Sequence, residues 1–261
     1  MKKLFKGILI ACGILMIAGL GLGLAGVIMG GTFDEVSIPF YYKGISGIST
    51  SITGAASVDA EDIRRIRVDM KAGQLEIEHG NFEEIQVEAD QSRTKVSVET
   101  QGDILVVSSK GRWGSKGGVA RIYLPNNMEL KSADLQVKGG SLETDRLTAQ
   151  EVTVDAGGGE FVCDGLLKAE NAEIEVGAGA IDIGLLESRE ADFDCSAGRI
   201  ECTMTGSTAD YYFTGECNLG QLAYGDQNWH ISDDIEIGNE DSKRTIDAKC
   251  SVGEIAIDFE K

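Results

Sequence analysis

The chain has 261 residues, with 43 Asp and Glu against 24 Lys and Arg for a formal charge of −19, and it carries 34 Gly, 2 Pro and 2 His. A surface that acidic repels a phosphate backbone, so a nucleic-acid partner is excluded. At 42% hydrophobic and 6% aromatic residues the chain can bury a core, and two histidines leave little material for imidazole metal sites or proton relays.

The first element is apolar. Lys2, Lys3 and Lys6 precede a run without charge from Gly7 to Phe33. As a helix, Ile8 to Met29 would be about 33 Å long, enough to cross a bilayer. The lysines belong on the cytoplasmic side, which sends everything after the run outside. Residues 1–30 read as cytoplasmic lysines and an uncleaved single-pass transmembrane anchor in the cell membrane, because the run is longer than a typical signal core; a signal peptide cleaved after the small residues of Gly23-Leu24-Ala25 is the alternative. Residues 31–62, with frequent Gly, Ser and Thr, read as a spacer.

Beyond residue 62 the periodicity is short and strand-like, as in Ile66-Arg67-Val68, Leu75-Glu76-Ile77 and Ile104-Leu105-Val106-Val107. No window holds a helical stripe, which makes the exported part all-β. Residues 63–130 read as a membrane-proximal strand region that caps a solenoid, and residues 131–261 as the repeats of that solenoid. The repeat is anchored on Gly-x-apolar at Gly73, Gly140, Gly159, Gly179, Gly198, Gly220 and Gly253. From Gly140 onward the spacings are 19, 20, 19, 22 and 33. Positions two and four after each glycine, and three and seven before it, are almost wholly apolar, as Ile181, Ile183, Val176 and Ala172 are around Gly179. Two short strands joined at a glycine bend every ~20 residues predict a parallel β-solenoid, each strand pairing with its copy in the next coil. The glycine serves a corner where backbone angles closed to other residues are needed. The longer interval from Gly220 to Gly253 predicts an extra hairpin or loop.

These units, as at Phe193 to Cys202 and Ala248 to Ile257, and the strand Arg121-Ile122-Tyr123-Leu124-Pro125 before the repeats, resemble the bacterial putative-adhesin β-strand-repeat family also called Toastrack. The resemblance covers residues 62–261. It implies a β-helix-like extracytoplasmic domain behind one membrane span, without a known catalytic site, and it carries no motif of functional residues.

Stacking of such coils would gather two sets of side chains. Cys195, Cys217 and Cys250 share one inward column and Cys163 and Cys202 another, with Cys195 and Cys217 expected as neighbours. They read as buried small apolar residues. On the outward face, Asp155, Glu175, Asp194 and Glu216 stand four before their glycines, and Glu173 and Asp192 stand six before. Such adjoining carboxylate ladders, with neighbours ~5 Å apart, suit Ca²⁺, and a solvated acidic face is the alternative. No catalytic constellation or cofactor motif emerges. The sequence therefore describes a non-enzymatic structural, adhesion or binding module at the cell envelope, with an envelope protein or polysaccharide as partner. A sensory or regulatory partner in envelope-stress signalling and a carbohydrate-active β-helix enzyme are the alternatives.

Overall fold

The computed structural model describes residues 49–51, 54–89, 95–110 and 119–260. The expected anchor lies outside them. In chain order the strands are β1 (Ser49–Ser51), β2 (Gly54–Asp59), β3 (Arg65–Met70), β4 (Gln74–Gly80), β5 (Glu84–Ala89), β6 (Lys95–Gln101), β7 (Ile104–Lys110), β8 (Val119–Pro125), β9 (Leu130–Val137) and β10 (Ser141–Thr144). They continue as β11 (Leu147–Ala156), β12 (Glu160–Val176), β13 (Ala180–Cys195), β14 (Arg199–Met204), β15 (Tyr212–Cys217), β16 (Gln221–Tyr224), β17 (Gln227–Trp229), β18 (Ser232–Ile237), β19 (Thr245–Cys250) and β20 (Glu254–Phe259). All twenty belong to one sheet curled into a solenoid-like stack, and the single helical element among the described residues is the 3₁₀ turn Thr208–Asp210.

Alternation of apolar and polar residues, broken by extra residues at the corners, produces this sheet. Within β13, for instance, Ile181, Ile183, Leu186, Ala191, Phe193 and Cys195 are buried while Asp182, Asp192 and Asp194 are exposed. Every side chain in the four repeat columns predicted inward is buried, even the polar Thr144 at 3% exposure. A further inward column, Leu147, Leu167, Leu186 and Met204, lines a third side. Because β12 and β13 run for 17 and 16 residues through that side, the second strand of one coil continues directly into the first strand of the next. The expected pair of short strands per coil is thus one long bent strand at the centre of the stack, with a register shift at its corner between Cys163 and Leu166.

All seven repeat glycines occupy one lateral column. Ser141 pairs with Gln74 and Glu160, Ala180 with Glu160 and Arg199, and Glu254 with Arg199 and Gln221, each one residue past its glycine. Those residues donate backbone hydrogen bonds to the glycine carbonyl of the adjoining coil: Ser141 to Gly73 at 2.9 Å, Glu160 to Gly140 at 2.9 Å, Ala180 to Gly159 at 3.0 Å and Arg199 to Gly179 at 3.2 Å. Of the seven, only Gly73 and Gly140 have positive φ. At the others the requirement is close approach, since a Cβ on Gly179 or Gly198 would run into the carbonyl oxygen of the preceding column glycine.

The order of coils departs from the order of the chain at both ends. On the C-terminal side β19 lies between β13 and β15, and β20 between β14 and β16, all parallel. The last coil in sequence is therefore the last but one in space. Beyond it, β17 and β18 pair antiparallel with β16 and β15, which realises the hairpin expected between Gly220 and Gly253. On the N-terminal side β3 lies between β7 and β9, and β4 between β8 and β10, so parallel coils extend into the region before residue 131. There β5 and β6 pair antiparallel with β8 and β7, and β2 and β1 with β5 and β6. The outermost C-terminal coil is plugged by aromatics, with Phe213 stacked on Tyr224 at 4.1 Å and Phe259 edge-on to Tyr224 at 5.1 Å.

The close approach at the bends makes a specific demand on stability. Gly198→Ala is expected to lower the unfolding free energy by about 2–3 kcal/mol in urea titrations, as overpacking against backbone does. At Gly157 a Cβ meets only Lys138 Cα at 3.8 Å and Asp155 Oδ1 at 4.0 Å, so Gly157→Ala should stay within about 0.5 kcal/mol of the parent.

Candidate functional site

Strand alternation turns the residues four and six before each column glycine outward, and pairing decides their lateral neighbours. Asp155 pairs with Glu175 and Glu175 with Asp194, while Glu173 pairs with Asp192. Five of the six predicted carboxylates therefore adjoin as expected. Asp192 also meets Asp247, a neighbour supplied by the last coil. Glu216 does not adjoin Asp194, because β19 intervenes and sets Lys249 beside both of them. The ladder expected to run on to Glu216 stops at a lysine, whose Nζ is 2.8 Å from Asp247 Oδ1.

Crowding of like charge marks this face. Partial burial, then Glu173, Asp155 and Asp194, raise the Glu175 carboxyl above its ordinary value. For Asp192 partial burial comes first and Asp247 second, with Lys249 opposing. Glu173, Glu175, Asp192 and Asp194 are exposed, and Asp155 is half-buried. Among the described residues no group of three or more His, Cys, Asp or Glu is arranged to hold a metal ion. Because these carboxylates leave one sheet face in the same direction, they do not oppose each other across a cleft as a glycosidase pair must.

The cysteine column is reordered by the same coil. Cys250 pairs with both Cys195 and Cys217, which separates the two expected neighbours. Cys163, Cys195, Cys202, Cys217 and Cys250 are free and buried. Burial pushes the thiols of Cys163 and Cys250 up to about 12, which keeps them protonated. Cys195 and Cys250 donate to the carbonyls of Gly198 and Gly253, each at 3.1 Å, so these thiols pack beneath the glycine bends. His79, whose side chain is 4% exposed, has its Nδ1 2.6 Å from Asp145 Oδ1 and ties β4 to the end of β10.

Residues 63–261 match the family model described as Toastrack DUF4097. The chain belongs to the Toastrack family. The Toastrack match opens at Ile63, just ahead of β3, and takes in every parallel coil of the stack. No curated protein matches the chain. Among solved structures it is similar to a putative cell adhesion protein from Clostridium sporogenes, at 10% identity and a TM-score of 0.42, over 82% of this chain and 100% of that one. It is also similar to a putative adhesin from Bacteroides fragilis, at 15% identity and a TM-score of 0.42, over 78% and 95% of the two chains. A third is a putative lipid binding protein from Parabacteroides distasonis, at 14% identity and a TM-score of 0.39, over 79% and 96%.

The acidic face of this Toastrack domain gives a pH dependence of definite sign. A carboxyl whose folded pKa is raised penalises folding when ionised, so its contribution improves as pH falls through the range just above the ordinary carboxylate value. Glu175→Gln is expected to stabilise at neutral pH by about 0.5 kcal/mol, the scale of a solvent-screened surface pair. That gain should vanish near pH 4, where the parent carboxyl is itself protonated, as thermal melts across the range would show.

Proposed function

We propose that this Toastrack chain is a single-pass membrane protein whose β-domain, a parallel β-solenoid, lies outside the bacterial cell and works as a structural, adhesion or binding module of the envelope. The observation that carries the reading is the charge-free run from Gly7 to Phe33 directly behind Lys2, Lys3 and Lys6, joined to a family-matched domain of stacked coils. The run has the length and flanking charge of an anchor, and the lysines orient it. A stack in which each inner coil is hydrogen-bonded to two others suits the role, because it repeats outward side chains at fixed lateral spacing and presents them as one extended surface. Its partner is an envelope protein or polysaccharide, and the anchor ties it to the membrane.

Protease added to intact cells lacking an outer-membrane barrier is expected to remove an epitope at Lys261 while an epitope at Met1 stays protected. Survival of the Lys261 epitope under conditions that digest a known surface protein would overturn the topology.

A further inference from the structure

Opposite in charge to the acidic face, a groove of about 640 Å³ runs along the corner where each coil enters its first strand. Its lining holds Arg64, Lys131, Lys168, Arg189 and Arg244, five cations gathered on a chain of formal charge −19. Register strings them across the stack. Arg65 pairs with Ser132, which sets Arg64 beside Lys131, and Glu190 pairs with Thr245, which sets Arg189 beside Arg244. Between these two poles stand Gln150 and Glu170, so Lys131 and Arg189 are three inter-strand steps, about 14 Å, apart.

The poles differ in how far they are neutralised. Lys168 Nζ lies 2.7 Å from Glu187, and Arg189 meets Glu190 at 2.8 Å and Glu170 at 3.4 Å. Arg244 sits over the Tyr211 ring, 5.3 Å from its centroid. Arg64 and Lys131 are exposed and form no ion pair among the described residues. Glu129, Glu170 and Glu187 are the carboxylates of the lining, fewer than its cations.

We propose that this groove seats an extended anionic glycan-type chain lying along the stack, its charges engaging the Arg64–Lys131 and Arg189–Arg244 poles. A small anion reaches one pole, whereas a chain with repeated charges reaches both and gains by linkage. Thr148 and Gln150 supply neutral polar groups to a hydroxylated backbone between charges, and the lining holds no aromatic ring on which a nucleobase could stack. The proposal rests on the reading of the chain as a binding module and names that module's ligand class.

The test is binding of purified full-length protein, at about 20 mM ionic strength, to polygalacturonate, which carries carboxylates, and to poly(glycerol phosphate), which carries phosphodiesters. Polygalacturonate should bind, and its binding should weaken more than tenfold at about 0.3 M salt. Digalacturonate and neutral dextran should bind at least tenfold more weakly. Arg64→Gln combined with Lys131→Gln should lose at least tenfold in affinity, whereas Lys138→Gln, on another face, should not change it. Gln150→Lys, which bridges the poles, should gain at least threefold, a result that misfolding cannot imitate. Absence of polygalacturonate binding, including binding of poly(glycerol phosphate) alone, equal binding of dextran or digalacturonate, or an unaltered double variant would overturn the proposal. None of these results touches the protease test of topology, so the two readings fail separately.

Discussion

The glycine column is the constraint on which the rest of the stack depends. At each bend the chain of one coil passes so close to the next that the residue after the glycine donates to the neighbouring glycine carbonyl, and no Cβ fits between. That contact sets the register of both flanking strands at once. A slip of one residue would turn every inward side chain outward, burying Asp182 or Asp192 in place of Ile181 or Ala191. Burial of the aliphatic and thiol columns supplies most of the stabilisation, but the bends decide which residues are available to be buried. Cys195 and Cys250 belong to the same arrangement, since their thiols donate to the carbonyls of Gly198 and Gly253 and fill the space that a Cβ on Gly253 or Gly220 of the adjoining coil would need.

A stack of parallel strands has two open ends, and each would template association with another chain. The molecule closes both in the same way. At either end the outermost coil, β7–β8 or β15–β16, is covered by antiparallel strands, and the terminal coil of the repeat, β3–β4 or β19–β20, is folded back to a position one coil inside. Aromatic residues gather at the C-terminal closure, where Phe213, Tyr224, Trp229 and Phe259 meet. The C-terminal strands β19 and β20, which would fray at an edge, are held between two parallel neighbours instead.

The register within a coil was legible in the sequence because every coil repeats the same glycine and the same alternation. The order of coils was not, because a period reports which residues are equivalent and says nothing of which coil lies beside which. Cys195 and Glu216 show the consequence: the neighbours expected from chain order were displaced by Cys250 and Lys249 of the last coil. The coil β7–β8 is hard to see in the sequence because its second strand opens on Val119-Ala120, a small residue where the other coils place Leu, Ile or Phe, after a glycine-rich segment that reads as a hairpin connection. The basic groove was hidden for a further reason. Its cations occur at most one to a coil on the third side, and nothing in the linear sequence sets Arg64 beside Lys131 or Arg189 beside Arg244.

Charge is divided between sides of the stack. Asp155, Glu173, Glu175, Asp192, Asp194 and Asp247 crowd one face, and the cations collect along a corner, so solubility and ligand binding draw on different surfaces. Asp247 joins the acidic face and Arg244 the basic corner only if the C-terminal coil carries the glycine ladder through the interior of the stack. Scalar couplings across hydrogen bonds, measured by NMR on deuterated protein, report that ladder directly. A coupling from the Glu254 amide nitrogen to the Gly198 carbonyl carbon, together with one from Gln221 to Gly253, is the expected result. A coupling from Gln221 to Gly198 would place the coils in chain order and contradict the account.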